Sequence, residues 1–463
     1  MVACRKIFMK NGVNKKQPLS WGRRALLVLI LGAMALLAVL MLADYLMEKQ
    51  LGKAIIKISK ASEPITLLDL QPDVSSASED AALYYYEALS SIPPGNLENL
   101  SKVNAFYRKS IVSLPANQFP AEINEKVEKD LAKLQSVLQK FDKAAALPLS
   151  RFDIGIEHGM KVCRTTLNIV QAASLFLSLR TSYFVLRNQD DAAAESLVTN
   201  LKLFRVLDTC PIIVLHTAKI VLLVNACQDA FLVLEQAHPS EKSLAKLQDA
   251  LSKAAPPDML ERMFFAERAY QLEIARNLLP PAITSRFLQS EVPPLPERLS
   301  LPSSRWGRMR TRQLSVRYLK NIAKLIADVQ LPWPQPLDAA AANAPVPGKP
   351  PELLTSGAAF INLTAETYAL VRCTVLAIAV ERYRLQHSGK LPASLNDLTP
   401  AYIDLLPQDP FTGRDLLFTS DQSAYVIYSI GSNRKDDGGS TTRTSDEIAP
   451  LDCGLRIHLQ KSQ

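Results

Sequence analysis

Hydrophobic and polar positions divide the chain into one uninterrupted apolar run and long stretches of helical periodicity behind it. The run, residues 25–43, contains no charged side chain. A helix of this length, with a rise of 1.5 Å per residue, spans roughly 28 Å, which is close to the thickness of a bilayer's hydrocarbon core. The pattern therefore predicts a transmembrane helix, and we expect it to continue as a helix towards Lys60.

The charges on either side of this segment predict its orientation. Residues 1–24 carry seven basic and no acidic side chains, whereas Asp44 and Glu48 follow the run. Basic flanks stay on the cytoplasmic side of a membrane, so we expect a cytoplasmic tail, 1–24, and an exported remainder. A cleaved signal peptide is the alternative. The length of the run and the large residues Leu40, Leu42 and Tyr45 near its end favour an uncleaved anchor.

Beyond the membrane segment, apolar residues recur every three or four positions through residues 44–278, which predicts an antiparallel helical array. We expect helical hairpins with approximate bounds 157–188, 191–208, 212–236 and 241–254, then a helix over 256–278. Asp190 and Asp191 are placed to cap a helix start. Residues 177–204 look like a tetratricopeptide hairpin. A 34-residue period does not recur three times, so the array is not assigned to a named repeat.

Prolines become dense over residues 279–353, which predicts a linker. A basic helix, Arg305–Val329, interrupts it, and this helix either contacts lipid headgroups or a partner, or presents a solvated face. The alanine- and proline-rich residues 338–351 predict a flexible connection.

The charge of the chain bears on nucleic-acid binding, and its cysteines bear on disulfide formation. Without the N-terminal tail the chain has 46 basic and 45 acidic residues, so its charge does not support nucleic-acid binding. Cys163, Cys210 and Cys227 lie in apolar helical patterns and are expected to be buried thiols. Cys373 and Cys453 are the candidate disulfide pair of the exported part.

The C-terminal residues 354–463 carry an ordered series of motifs. A long helix ends in AIAVERYRLQHSGKLP, followed by ASLNDLTPAYIDLLPQDPFTGRDLLF and AYVIYSIGSNRKDDGG. Gly389 and Pro392 end the helix, the turn with Asp409 and Gly413 leads to a strand, and residues 416–419 and 424–430 alternate as two antiparallel strands. This predicts a small α+β unit in which Leu395, Leu398 and Leu406 pack a short helix against the long one.

These motifs resemble the globular part of the major pseudopilins of type II secretion, over roughly residues 365–460. In that family the loop after Tyr-Ser-x-Gly binds calcium, so the resemblance implies a calcium site at Asn433, Asp436, Asp437 and Asp446. A flexible loop rich in side-chain oxygens suits calcium. The alternative is a solvated turn whose acids are matched by Arg434, Lys435 and Arg443. No Asp or Glu precedes Asp44, so the glutamate of a pseudopilin N-terminus is missing, and the resemblance is confined to this module.

The common sequence signatures of hydrolases, zinc enzymes and nucleotide-binding proteins do not occur in the chain. The fold class we predict is mainly α: a transmembrane helix, an antiparallel helical array and a small C-terminal pseudopilin-like α+β domain. We expect a non-catalytic binding or scaffolding protein of the bacterial inner membrane, in contact with lipid through residues 25–43 and with an unidentified protein partner. An exported hydrolase is the rival hypothesis.

Overall fold

The computed structural model describes residues 21–71, 80–92, 121–149, 152, 160–275, 305–342, 353–440 and 452–459. Within these ranges the protein is mainly helical, as the sequence predicts, and a three-stranded antiparallel sheet lies near its C-terminus. We number the α-helices as follows: α1 Trp21–Lys60, α2 Ala81–Ser90, α3 Ala121–Lys133, α4 Gln135–Ala146, α5 Met160–Leu186, α6 Asp190–Leu203, α7 Arg205–Asp208, α8 Ile213–Gln236, α9 Glu241–Ala254, α10 Met259–Ala275, α11 Arg305–Val329, α12 Gln335–Ala342 and α13 Leu353–Gln386.

The helix bounds in the middle of the chain follow the periodicity closely, but the predicted cap at Asp190 and Asp191 differs from the observed contacts. Asp190 and Asp191 lie in the first turn of α6, and the Asp191 carboxylate accepts the backbone N–H of Ser240, 2.7 Å away, at the start of α9. This bond lowers the pKa of Asp191. Asp191 therefore ties two helix starts together, where the sequence predicted a local cap.

Four of the described helices are long and apolar enough to cross a membrane, but three of them are largely covered by protein. The apolar windows within 167–186, 213–236 and 357–386 are 67%, 67% and 78% buried, whereas that of α1 contains no buried residue. The three buried windows belong to α5, α8 and α13, which pack together in the main core. Of these four helices, α1 is therefore the one whose apolar segment is left without protein packed over it.

The main core joins the middle of the chain to the C-terminal segment. Helix α13 packs on α8 and α9 along one side and on strands β2 and β3 along another; the strands are β1 Leu417–Ser420, β2 Ala424–Ser429 and β3 Cys453–His458, in the order β1-β2-β3. The predicted strand pair is confirmed to within a residue, and β3 was not predicted.

A second core forms within the predicted linker. Leu325 of α11, Leu337 of α12 and Ile361 of α13 belong to one buried cluster with Phe264 of α10. The flexible connection predicted from residue 338 was wrong for residues 338–342, which are helical, because alanine favours helix and Ala340 is buried.

The C-terminal motifs fold as their residues predict. Gly389 has φ +81° and its N–H donates to the carbonyl of Arg384 across the end of α13. The short helix Leu395–Leu398 is 3-10, and both its leucines are buried. Strand β2 is buried on both faces, where the alternation predicted one, since the loop at Gly439 covers Val426 and Tyr428.

Candidate functional site

A pocket of about 260 Å³ lies where the C-terminal ends of α8 and α13 meet the end of β3. We call it the α8/α13 pocket. Its polar lining consists of Glu235, His238, Glu381, Arg384 and His458, and apolar residues such as Leu244 and Leu385 complete the wall. Two helix ends and one strand end thus bring together two carboxylates, a guanidinium and two imidazoles.

Glu381 is fixed in this pocket by Tyr425 and Arg384. One of its oxygens accepts the hydroxyl of Tyr425 at 2.7 Å, and both oxygens lie within 2.9 Å of Nη1 of Arg384. Tyr425 is fully buried, and burial together with the charge of Glu381 raises its pKa well above the usual value. The hydroxyl therefore stays protonated and donates to the carboxylate.

Glu235 holds the end of the sheet against α8. Its Oε1 accepts the backbone N–H of His458 at 2.7 Å and lies 3.3 Å from Nδ1 of the same residue. Among the charged groups of the lining, two carboxylates stand against one guanidinium. Such a lining suits a small cationic or hydroxyl-bearing group, since carboxylate oxygens accept hydrogen bonds and attract positive charge.

Sequence reasoning did not find this pocket. The fold places His238 and His458 in one cavity although 220 positions separate them. The available signal was the Glu-x-x-Arg spacing of residues 381–384 within α13, because residues three apart share a helix face.

A larger groove of about 570 Å³ lies between α4, α5, α6 and α9. Four of its charged side chains form two ion pairs: Nη1 and Nη2 of Arg180 contact the two oxygens of Asp142 at 2.8 and 2.7 Å, and Lys246 pairs with Glu195. Arg180 is buried and also donates through Nε to Ser196. This network fixes the packing of the helices.

The predicted calcium loop is held by hydrogen bonds within the protein. Asn433 donates its side-chain amide to Asp437 at 2.7 Å, and Asp436 accepts the hydroxyl of Tyr428 at 3.1 Å. Asp446 lies outside the described residues. The described part of the chain contains no group of three His, Cys, Asp or Glu residues arranged to hold a metal. Calcium binding by this loop stays a prediction.

The neighbouring anchor of this loop is Asp452, which the sequence did not single out. Its buried carboxylate accepts the backbone N–H groups of Gly439 at 2.8 Å, Ser440 at 3.2 Å and, more weakly, Asp437 at 3.4 Å. Arg434 adds an ion pair of 2.7 Å to Asp338 of α12. The loop thus takes up its shape around a carboxylate of the protein itself.

The cysteines of the core are thiols. Cys210 and Cys227 are buried, as predicted; the side chain of Cys163 lies outside the described part. The candidate pair is not bonded: Sγ of Cys373 lies 3.7 Å from the carbonyl oxygen of Cys453. Burial raises the pKa of Cys227 and of Cys453 to about 12, so these groups remain unreactive thiols at neutral pH.

The comparisons with known proteins add no family: no protein-family model, no curated protein and no solved structure matches the chain.

Proposed function

We propose that this chain is a membrane-anchored protein of the bacterial envelope, with a cytoplasmic N-terminus and a single span, whose helical body binds or scaffolds a partner on the far side of the membrane. One observation carries the proposal. Helix α1 is exposed along residues 25–43, whereas its second half is built into the protein by Leu51 and Ile55, which are buried against α11.

An ion pair at the border of the two halves supports this division. Nη1 of Arg312 contacts Asp44 at 2.8 Å and Nη2 contacts Glu48 at 3.2 Å. These acids directly follow the apolar run, so the body begins where the predicted span ends. A bare apolar helix is stable in lipid, where its backbone groups are bonded internally and its side chains contact acyl chains.

The α8/α13 pocket is the proposed binding site. It lies on the surface formed by α8, α9, α13 and β3. Two bonded pairs, Glu381 with Arg384 and Glu235 with His458, already orient most of its polar groups. Preorganised groups lose little entropy when a ligand binds. The same lining supports the rival hypothesis, a hydrolase, because it contains carboxylates and imidazoles. We favour binding over hydrolysis because both oxygens of Glu381 already accept hydrogen bonds from Arg384, so this carboxylate is not free to act as a base.

The anchor is tested by extraction and protease protection. Full-length protein should remain in membranes at alkaline pH and dissolve in detergent, and protease added to intact spheroplasts should digest its C-terminal part. The double variant Leu31→Arg/Leu36→Arg should lose membrane retention, because each arginine costs about 3 kcal/mol at a helix centre. Leu83→Arg/Val221→Arg, at exposed positions of the body, is the matched control. A C-terminus protected until lysis would overturn the proposal.

The binding site is tested by filling it. Leu385→Trp places an indole at the pocket wall, whereas Leu405→Trp changes another exposed leucine elsewhere. Proteins and small molecules retained by the wild type from detergent-solubilised membranes should be lost with the first variant and kept with the second. Hydrolysis of ester, phosphate or glycoside probes by the wild type, abolished by Glu235→Gln, would favour the rival.

A further inference from the structure

Helices α1 and α11 lie side by side and run in the same direction. Arg312 contacts Asp44 and Glu48, and one and two turns later Val316 and Leu319 share a buried cluster with Leu51 and Ile55. Because Arg312 lies between Asp44 and Glu48, an antiparallel pair would place these two residues beside Leu42 and Val39 instead, and neither belongs to that cluster. The first turns of α11 therefore point back towards the apolar half of α1.

The exposure of α1 agrees with this register. The face that α11 covers begins inside the apolar run: Leu40 and Ala43 are partly covered, whereas Leu36 and Leu37 are 60% and 55% exposed. Residues 306–310 of α11 thus lie beside the last turn or so of the apolar run and not beyond it.

Trp306 lies in the first turn of α11, at the end of the helix that this register carries towards the membrane. It lies six residues before Arg312, which corresponds to about 9 Å along the helix, and its side chain is 64% exposed. At that level the face of α1 that α11 leaves uncovered is apolar, with Val39 and Leu42 exposed. Tryptophan is enriched at membrane interfaces because its large apolar ring carries one N–H donor.

Basic side chains follow Trp306 at the level where the apolar run ends. Arg310, one turn later on the same helix face, is exposed, and α11 contains no acidic residue before Asp328. A guanidinium binds phosphate oxygens through two parallel hydrogen bonds. An exposed indole followed by an exposed guanidinium, beside an uncovered membrane span, matches the order of layers from hydrocarbon to headgroup.

We propose that residues 306–310, the α11 foot, are seated in the headgroup layer of the leaflet from which α1 emerges, with Trp306 at the hydrocarbon boundary and Arg310 against lipid phosphates. The inference rests on the proposed membrane span of α1. The occupant is lipid because the foot is continuous with the apolar surface of α1 that lipid must cover. The body would then be held to the membrane at two points, which fixes its tilt.

The depth of Trp306 is the direct test. The chain has three tryptophans, so Trp21→Phe/Trp333→Phe leaves Trp306 as the single fluorophore. In vesicles of phosphatidylcholine brominated along its acyl chains, we expect blue-shifted, strongly quenched emission. The control removes all three tryptophans and adds Leu331→Trp beyond the far end of α11. Its emission should be unquenched.

The role of Arg310 has its own test in the single-tryptophan protein. Adding phosphatidylglycerol to the vesicles should increase the quenching of Trp306, Arg310→Glu should abolish that increase, and Lys320→Glu, two to three turns further from the membrane, should preserve it. An increase that survives Arg310→Glu would overturn the assignment of lipid phosphate to this residue.

The outcomes separate the two proposals. If the protein floats with the vesicles while Trp306 shows water-like, unquenched emission, the α11 foot is wrong and the anchor stands. If the protein does not float with the vesicles at all, the anchor itself fails.

Discussion

Ser429 donates its hydroxyl to Oδ1 of Asp409 across a distance of 2.7 Å, and both residues are buried. This bond connects the Asp-Pro turn that precedes β1 with the end of β2. The same carboxylate oxygen accepts the backbone N–H of Phe411. Two motifs that lie 20 positions apart in the sequence are thus parts of one hydrogen-bonded unit.

Ser429→Ala tests this unit. Asp409 would keep its bond to Phe411 but lose a partner in a buried environment, so we expect the free energy of unfolding to fall by about 1 to 3 kcal/mol. Denaturant unfolding followed by circular dichroism measures the change. Ser420→Ala, at the exposed end of β1, should stay within about 0.5 kcal/mol of the wild type. Equal effects of the two substitutions would contradict a special role for the bond.

Gly454→Ala should weaken the sheet. A Cβ at this position would lie 2.2 Å from the carbonyl oxygen of Ile427 and 2.7 Å from the Cα of Tyr428, so β3 cannot keep its distance from β2. We expect a loss of about 2 to 4 kcal/mol in unfolding free energy. Gly22→Ala meets no atom within 4 Å and should cause no loss; a stable Gly454→Ala protein would show that β3 pairs elsewhere.

His216 should make stability depend on pH. Burial and the charge of Lys219 lower its pKa from 6.5 to about 3. Its Nε2 lies 3.2 Å from the hydroxyl of Thr364, and within the described part of the chain Nδ1 has no hydrogen-bond partner. At a pH between these two values, His216 binds a proton in the unfolded state but not in the folded state. The free energy of unfolding therefore falls as the pH falls below 6.5.

The matching experiment compares the wild type with His216→Gln. The wild type should lose up to about 1.4 kcal/mol more per pH unit than the variant within this window. Urea unfolding at a series of pH values gives both curves. Parallel curves below pH 6.5 would mean that His216 is protonated in the folded protein.

Asp452→Asn should loosen the loop that covers the outer face of β2. The carboxylate would be replaced by an amide with one acceptor oxygen, so the N–H groups of Gly439 and Ser440 lose a charged partner. We expect a loss of about 1 to 3 kcal/mol. Because this carboxylate binds backbone groups, the loss should be the same in calcium and in chelator, as measured by differential scanning calorimetry.

Calcium binding by the loop would be seen as a shift in melting temperature. If Asn433, Asp436, Asp437 and Asp446 hold the ion, as the resemblance implies, added calcium should raise the melting temperature and chelator should reverse the shift, since a ligand that binds only the folded state stabilises it. Asp437→Asn should reduce the shift, while Asp421→Asn, in the turn before β2, should not. An unchanged melting temperature of the wild type would contradict the site.

Features that depend on neighbouring residues were available from the sequence. The uncharged run of 25–43 and its continuation to Lys60, the bounds of α8 and α9, the break at Gly389 and the β1–β2 pair follow from periodicity, capping and turn chemistry, which act over a few positions. For the same reason residues 338–342 were misjudged: their alanines favour helix, but the neighbouring prolines suggested a linker.

Features that depend on distant residues were decided by the tertiary structure. The sequence contains Arg312 and Asp44, Asp452 and Gly439, Glu235 and His458, but nothing local indicates that they meet. Each pairing follows from how whole helices pack, which is determined by the sum of many small apolar contacts. The sequence by itself therefore determined a membrane-type helix, a helical body and a small sheet. Only the packing decided that α11 lies beside that helix and that a pocket forms at the ends of α8, α13 and β3.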